Sequence, residues 1–233
     1  MLKVQGLSAH YGRAHILADV GFQVPAGQVV VLLGRNGAGK STTLKSIMGL
    51  VPPSAGQVLF QGQDLAGREA YEIARLGLGY VPEERRIFSE LTVRENLSVG
   101  RKAPAAGLRP WDEARLFELF PSLGAMPDRP GGRMSGGEQQ MLSIARTLMG
   151  NPRLLLLDEP SEGLAPVVVQ RMAQAVRQLK AEGLAILLAE QNLHFAHAVA
   201  DRAVIIEQGR IRWEGEMAAL LADESTYQQY LSV

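Results

Sequence analysis

The chain has 233 residues, enough for one large α/β domain or for a core with a smaller satellite. Its 24 basic and 24 acidic residues cancel to zero net charge and only 6% of residues are aromatic, which argues against general nucleic-acid binding through a basic surface or stacking platforms. The absence of cysteine excludes disulfides, thiolate metal sites and cysteine nucleophiles.

The segment Met1-Leu2-Lys3-Val4-Gln5 carries no long apolar run, and no stretch approaches the ~18 apolar residues of a membrane span; a cytosolic location is expected. Leu2, Val4 and Leu7 mark a strand-like segment that turns near Tyr11-Gly12. Val20, Phe22 and Val24 alternate with Gly21 and Gln23, the pattern of a half-buried strand. After the Pro25-Ala26-Gly27 turn, an apolar strand at 29–33 runs into Gly34-Arg35-Asn36-Gly37-Ala38-Gly39-Lys40-Ser41-Thr42, and a helix is predicted over 41–48. Pro52-Pro53-Ser54-Ala55-Gly56 breaks the chain before a strand at Val58-Leu59-Phe60. Strands on both sides of the glycine-rich loop, without intervening helices, suggest an antiparallel sheet beside a parallel one. Ile73, Leu76 and Leu78 lead into a strand at Gly79-Tyr80-Val81 that stops at Pro82.

The stretch 83–150 reads as a mainly helical insertion. Thr92 and Glu95 form a capping box for a helix through Val99, 101–110 is a loop containing Gly107, 111–120 is amphipathic, and 127–132 is rich in breakers. Ser135-Gly136-Gly137-Glu138 is a second capping box, opening a helix to Met149. Leu154-Leu155-Leu156-Leu157 is a strand buried on both faces, ending in Asp158-Glu159-Pro160. A helix at 166–182, a buried strand at 184–189 ending in Glu190-Gln191-Asn192, a hairpin turning at Gln208-Gly209 and two short helices complete the chain.

Strand, glycine-rich loop and helix form the context in which G-x-x-x-x-G-K-[ST] binds a nucleoside triphosphate. The glycines let backbone N–H groups close on a polyphosphate at the positive end of a helix, Lys40 reaches the β- and γ-phosphates, and the Ser41 hydroxyl can ligate Mg²⁺. Asp158 and Glu159 are two acids at the end of an all-leucine strand, too costly to bury without a cation or proton. With a phosphate loop present, one is expected to hold Mg²⁺ and the other to orient the attacking water. The Ser135-Gly136-Gly137-Glu138 turn is either a helix cap or another anion site; composition alone leaves both open.

These motifs, in this order, resemble those of the ATP-binding subunits of ABC transporters over essentially the whole chain. The resemblance makes residues 34–42 the Walker A loop, 154–159 Walker B, Ser135-Gly136-Gly137-Glu138-Gln139 the signature motif, Ser161-Glu162-Gly163-Leu164 the D-loop, and Tyr11 the aromatic that stacks on adenine. It implies a P-loop NTPase α/β core (1–82 and 151–233) with a parallel central sheet, an antiparallel β subdomain and an inserted helical subdomain (83–150). It also implies a head-to-tail dimer in which Ser135 and Gly137 complete the partner's ATP site. Val81-Pro82-Glu83-Glu84-Arg85-Arg86, 91–97, 158–166 and Glu190-Gln191-Asn192 are similar to the smaller of two ATPase subunits in branched-chain amino acid importers.

That resemblance carries two departures from the general ABC pattern. Glu83 stands where a glutamine usually senses Mg²⁺ and the lytic water, and Gln191 where a switch histidine usually stands. A neutral Gln191 can donate to a γ-phosphate oxygen without charge assistance. Glu83 needs screening by Mg²⁺, Arg85 or Arg86. His194 and His197 on the next helix read as ordinary surface or packing residues. The expected function is ATP hydrolysis by Lys40, Glu159 and Gln191 at a site holding ATP and Mg²⁺. Expected partners are a second ATPase subunit, paralogous or identical, and two permeases, with a solute-binding protein indirectly, at the inner face of the cell membrane. Urea or amide import, a low-activity nucleotide-binding subunit and a soluble ABC ATPase of repair or translation are weaker alternatives. Segment 83–91, with Ile87 and Phe88, is the expected permease contact.

Overall fold

The structure, a computed structural model, describes residues 1–104 and 109–231. Part of the loop expected at 101–110, including Gly107, lies outside the described residues. Strands β1 (Leu2–Tyr11) and β2 (Ala14–Val24) form a hairpin, after which β3 (Val29–Leu33) runs into the glycine-rich loop and α1 (Lys40–Ile47). Next, β4 (Ala55–Phe60) and β5 (Gln63–Asp64) return to the hairpin, and α2 (Ala70–Leu76) leads into β6 (Leu78–Val81). Helices α3 (Val93–Gly100), α4 (Glu113–Leu119), α5 (Pro121–Gly124) and α6 (Gly136–Leu148) follow, with no strand between them among the described residues. The chain continues through β7 (Leu154–Asp158), α7 (Pro166–Ala181), β8 (Ala185–Glu190) and α8 (Leu193–Val199). The hairpin of β9 (Arg202–Glu207) and β10 (Arg210–Glu216) precedes α9 (Met217–Ala222) and α10 (Glu224–Leu231).

Two sheets result, as the sequence suggests: an antiparallel one in order β2-β1-β4-β5, and a six-stranded one in order β10-β9-β3-β8-β7-β6. In the second, every pairing is parallel except that of the edge strand β10 with β9. The alternation of strand side chains explains why β3 is apolar throughout and why β7 and β8 are apolar up to their terminal Asp158 and Glu190. Val29, Val31, Leu33, Leu155, Leu157, Ile186 and Leu188 point into one core, shared with α3 to α9. Val30, Leu32, Leu154, Leu156, Ala185 and Leu187 point into the other, shared with the antiparallel sheet, α1 and α2. The large sheet is thus a wall between two cores, and its central strands need an apolar residue at each position before their terminal acids.

Both predicted capping boxes form. Thr92 and Glu95 close the start of α3, and Ser135 and Glu138 that of α6. Helix α2 has no counterpart in the sequence reading, which treated its apolar residues only as the approach to β6. Its box is built from Glu69 and Glu72, without the Ser or Thr that marks most boxes, and only the left-handed Gly77 at its end offered a signal.

The β9–β10 turn locks the two sheets to the glycine-rich loop. Gly209 N donates to Ala38 O and Gly209 O accepts from Ala18 N of β2, both at 2.9 Å. A Cβ at Gly209 would stand 1.9 Å from Ile16 O, and its φ is +73°. Gly12, at φ +59°, has nothing within 4 Å. Gly209→Ala should therefore cost about 1–3 kcal/mol more in urea unfolding than Gly12→Ala, the latter reporting backbone strain alone. Equal midpoints for the two variants would show that the turn yields without cost.

Candidate active site

The parallel strands deliver their carboxyl ends to one edge of the sheet: Leu33 pairs with Glu190, Asp158 with Ala189, and Val81 with Leu157. Open α/β sheets bind ligands there. The segments that leave this edge are the glycine-rich loop, the Glu159 turn, the Gln191 loop, Pro82-Glu83 and the β9–β10 turn at Gln208-Gly209.

In the loop, Gly34, Ala38 and Gly39 are buried, while Arg35, Asn36 and Gly37 form an exposed rim. Helix α1 starts from Gly39 with no side-chain cap, so its first N–H groups have no competing side chain when an anion approaches. Lys40 is 3% exposed, and its Nζ donates to Gly34 O at 2.8 Å and to Arg35 O at 3.1 Å, and lies 3.1 Å from Glu159 Oε1. An ammonium has three N–H bonds, so these partners use all of them. A phosphate oxygen reaches Lys40 by displacing one. Tyr11, half exposed, lines a cleft of about 240 Å³ together with Gly37, Lys40, Ser41, Thr42 and Glu159. The hairpin of β1 and β2 thereby brings an aromatic ring to the phosphate loop.

Asp158 closes the floor. It is 1% exposed, with Oδ1 accepting from Ser41 Oγ at 2.9 Å and Oδ2 from Tyr80 OH at 3.0 Å. Burial pushes its carboxyl up, while the two hydroxyls and the charge of Lys45 oppose that shift. Burial and the adjacent Asp158 charge push the Tyr80 hydroxyl well up, so it stays a donor. Ser41 and Asp158 present hard oxygen donors side by side, a set that fits Mg²⁺. Sequence reasoning did not single out Tyr80. Its signal was position, on the strand that pairs with Leu154–Asp158 in register.

Glu159 has φ 45°, a left-handed backbone that a non-glycine residue rarely adopts, and its N–H donates to Ala189 O at 2.9 Å. That turn places its carboxylate on Lys40. Glu83 is exposed, and desolvation, followed by the charges of Glu159 and Asp158, pushes its carboxyl up. The arginines expected to screen it are directed elsewhere: Arg86 Nε lies 3.6 Å from Glu84, and the Arg85 guanidinium lies against Gly136. Gln191, exposed, donates from Nε2 to Glu162 Oε2 at 3.0 Å. His194 and His197 are exposed on α8.

Ser135, Gly136, Gly137 and Glu138 do not line the cleft. Glu138 Oε2 accepts from Ser135 N at 2.7 Å and from Ser135 Oγ at 2.8 Å, and Gly137 packs on Val168 of α7. Within one chain this turn is a helix cap.

A sequence profile described as ABC transporter matches residues 17–162. The chain belongs to the ABC transporter ATP-binding family. The high-affinity branched-chain amino acid transport ATP-binding protein BraG of Pseudomonas aeruginosa is 42% identical over 231 residues, covering 99% of each chain. The lipopolysaccharide export system ATP-binding protein LptB of Escherichia coli K12 is 35% identical, covering 99% of this chain and 96% of its own. Among solved structures, a nucleotide-free ATP-binding cassette from an ABC transporter aligns with TM-score 0.83 at 27% identity, covering 98% and 97% of the two chains. An ATP-binding subunit of an ABC transporter aligns with TM-score 0.82 at 33% identity, covering 97% and 94%. The chain is accordingly an ABC-type ATPase with the P-loop cassette fold, of the class that works in pairs with permease subunits. No helix among the described residues is long and apolar enough to cross a membrane.

Asp158→Asn removes a buried negative charge but keeps an acceptor for one hydroxyl. It should raise Tm by about 2–4 °C, the shift produced by about 1 kcal/mol in a domain of this size, while depressing ATP hydrolysis. A lower Tm in a thermal melt would mean that the hydrogen bonds outweigh the cost of the charge.

Proposed function

We propose that this cassette powers the import of branched-chain or other hydrophobic amino acids, acting at the cytoplasmic face of the membrane beneath two permease subunits. The partner in the ATPase pair is read as a paralogue. The observation that carries the reading is the full-length similarity to BraG, named for branched-chain amino acid transport. The LptB relatives, named for export, favour a second reading with the same ATPase and the opposite direction of transport. Uptake of labelled leucine by a strain lacking the gene separates the two: import predicts its loss and restoration by the intact gene, whereas export leaves uptake intact.

Lys40 and the loop amides hold the β- and γ-phosphates and stabilise charge on the transferring phosphoryl group. Held by Ser41 and Asp158, Mg²⁺ would neutralise charge developing on the phosphate oxygens. Glu159, once exchanged off Lys40, orients or deprotonates the attacking water, and Gln191 turns from Glu162 to donate to a γ-phosphate oxygen. Tyr11 stacks on adenine, and Ser135 and Gly137 face the partner's nucleotide. Glu159→Gln should lower kcat by about a hundredfold or more while ATP affinity stays within about twofold, because the role lies in the transition state. Turnover at the parental rate in the assembled transporter would remove Glu159 from that role.

The permease contact is read at Phe88. Phe88 is 47% exposed and borders a groove of about 440 Å³ with Leu50, Tyr80, Val99 and Arg146, whose guanidinium lies 5.0 Å over its ring. Ile87, expected to share the contact, instead packs into the helical core against Gly131. Phe88→Ala should uncouple uptake from ATP hydrolysis, whereas Ile87→Ala should mainly lower Tm. Normal uptake with Phe88→Ala would take the groove out of the docking role.

A further inference from the structure

Glu190, the last residue of β8, has no role in the mechanism above, yet it is 1% exposed. Its Oε1 accepts from Ser161 N at 3.1 Å, and its Oε2 accepts from Gln191 N at 3.1 Å and Asn192 N at 3.0 Å. The bonds to Gln191 and Asn192 are local and would suit an ordinary turn. The bond to Ser161 is not local: it crosses to the segment that follows Glu159 after β7. One carboxylate therefore holds two loops together. A serine or asparagine could cap the local turn without burying a charge, which costs several kcal/mol. The position spends that cost on a group with two oxygens, one for each loop.

The two loops are those that carry the proposed water-orienting acid and the proposed switch. Glu159 N is fixed to Ala189 O, the residue before Glu190, and the side chains of Gln191 and Glu162 meet at 3.0 Å on the outer side. Moving either loop relative to the other means breaking bonds to the buried carboxylate.

We propose that Glu190 is a positioning residue for ATP hydrolysis: it fixes the separation between the Glu159 turn and the Gln191 loop, and so sets where those two side chains meet the γ-phosphate. The proposal rests on the roles given above to Glu159 and Gln191. Glu190→Gln keeps the size but turns one acceptor into a donor facing backbone N–H groups, releasing one of the two loops. A displacement near 1 Å at a reacting centre lowers rates by about a hundredfold.

The test is made on the full-length chain, with steady-state hydrolysis, ATPγS affinity by calorimetry, and Tm. Glu190→Gln is expected to lower kcat by about 10- to 100-fold, with ATPγS affinity within about twofold of the parent, since the Gly34 and Arg35 carbonyls that hold Lys40 and the amides at the start of α1 lie outside both loops. If that variant does not fold, Glu190→Asp carries the test. It retains the charge but is one methylene too short to span both loops, and the same split is expected. A folded variant with parental kcat, or one in which kcat and ATPγS affinity fall in parallel, overturns the proposal. Glu159→Gln and Gln191→Ala are measured alongside. Parental turnover in both of these would fault the roles on which the proposal rests, whereas an impaired Glu159→Gln beside an unimpaired Glu190→Gln counts against Glu190 alone.

Discussion

Three carboxylates stand at the ends of two adjacent buried strands, and the site is organised around keeping them in place. Asp158, Glu159 and Glu190 are 1%, 8% and 1% exposed. Each buried charge carries a desolvation penalty of several kcal/mol unless it finds partners. The three are compensated in three ways: Asp158 by the hydroxyls of Ser41 and Tyr80, Glu159 by the Lys40 ammonium, and Glu190 by backbone N–H groups. The kind of compensation matches the use proposed for each. A hydroxyl pair leaves Asp158 lone pairs for a cation, an ion pair can be exchanged for another anion, and backbone donors cannot move without moving a loop.

The wall-like sheet makes this arrangement affordable. With apolar residues on both faces of β3, β7 and β8, the strands have no freedom to slip, because a one-residue shift would swap the contents of the two cores. Register is then fixed, and with it the alignment of Leu33 with Glu190 and of Asp158 with Ala189. The chemistry at the edge inherits its geometry from burial many residues away.

That same logic explains what the sequence made legible. Continuous apolar runs bounded by turns identify β3, β7 and β8, and the Ser/Thr–Glu spacing identifies the starts of α3 and α6, because both patterns are local. The loop and the acid pair are likewise local strings. What could not be read depends on partners far apart in the chain: Tyr80 on Asp158, Glu190 on Ser161, Gln191 on Glu162, Arg85 on Gly136. Ile87 shows the same limit from the other side. Two neighbouring apolar residues look alike in sequence, yet one lies in a groove and the other is packed beneath Gly131.

Several side chains proposed above to meet a nucleotide already have a partner inside the single chain: Lys40 has Glu159, Gln191 has Glu162, and Ser135 has Glu138. Nucleotide engagement is then an exchange of hydrogen bonds, and its net gain depends on what is exchanged. At Lys40, a phosphate oxygen replaces a carbonyl or a carboxylate, and charge assistance favours the more highly charged acceptor. At Gln191, a neutral amide leaves one anion, Glu162, for another, so the gain on that bond alone is small. A near-balanced exchange is decided by whatever shifts Glu162, and Glu162 sits on the segment tied through Ser161 to Glu190. If Gln191 acts in the proposed switch role, turnover depends more on what holds Glu162 than it would with a cationic switch.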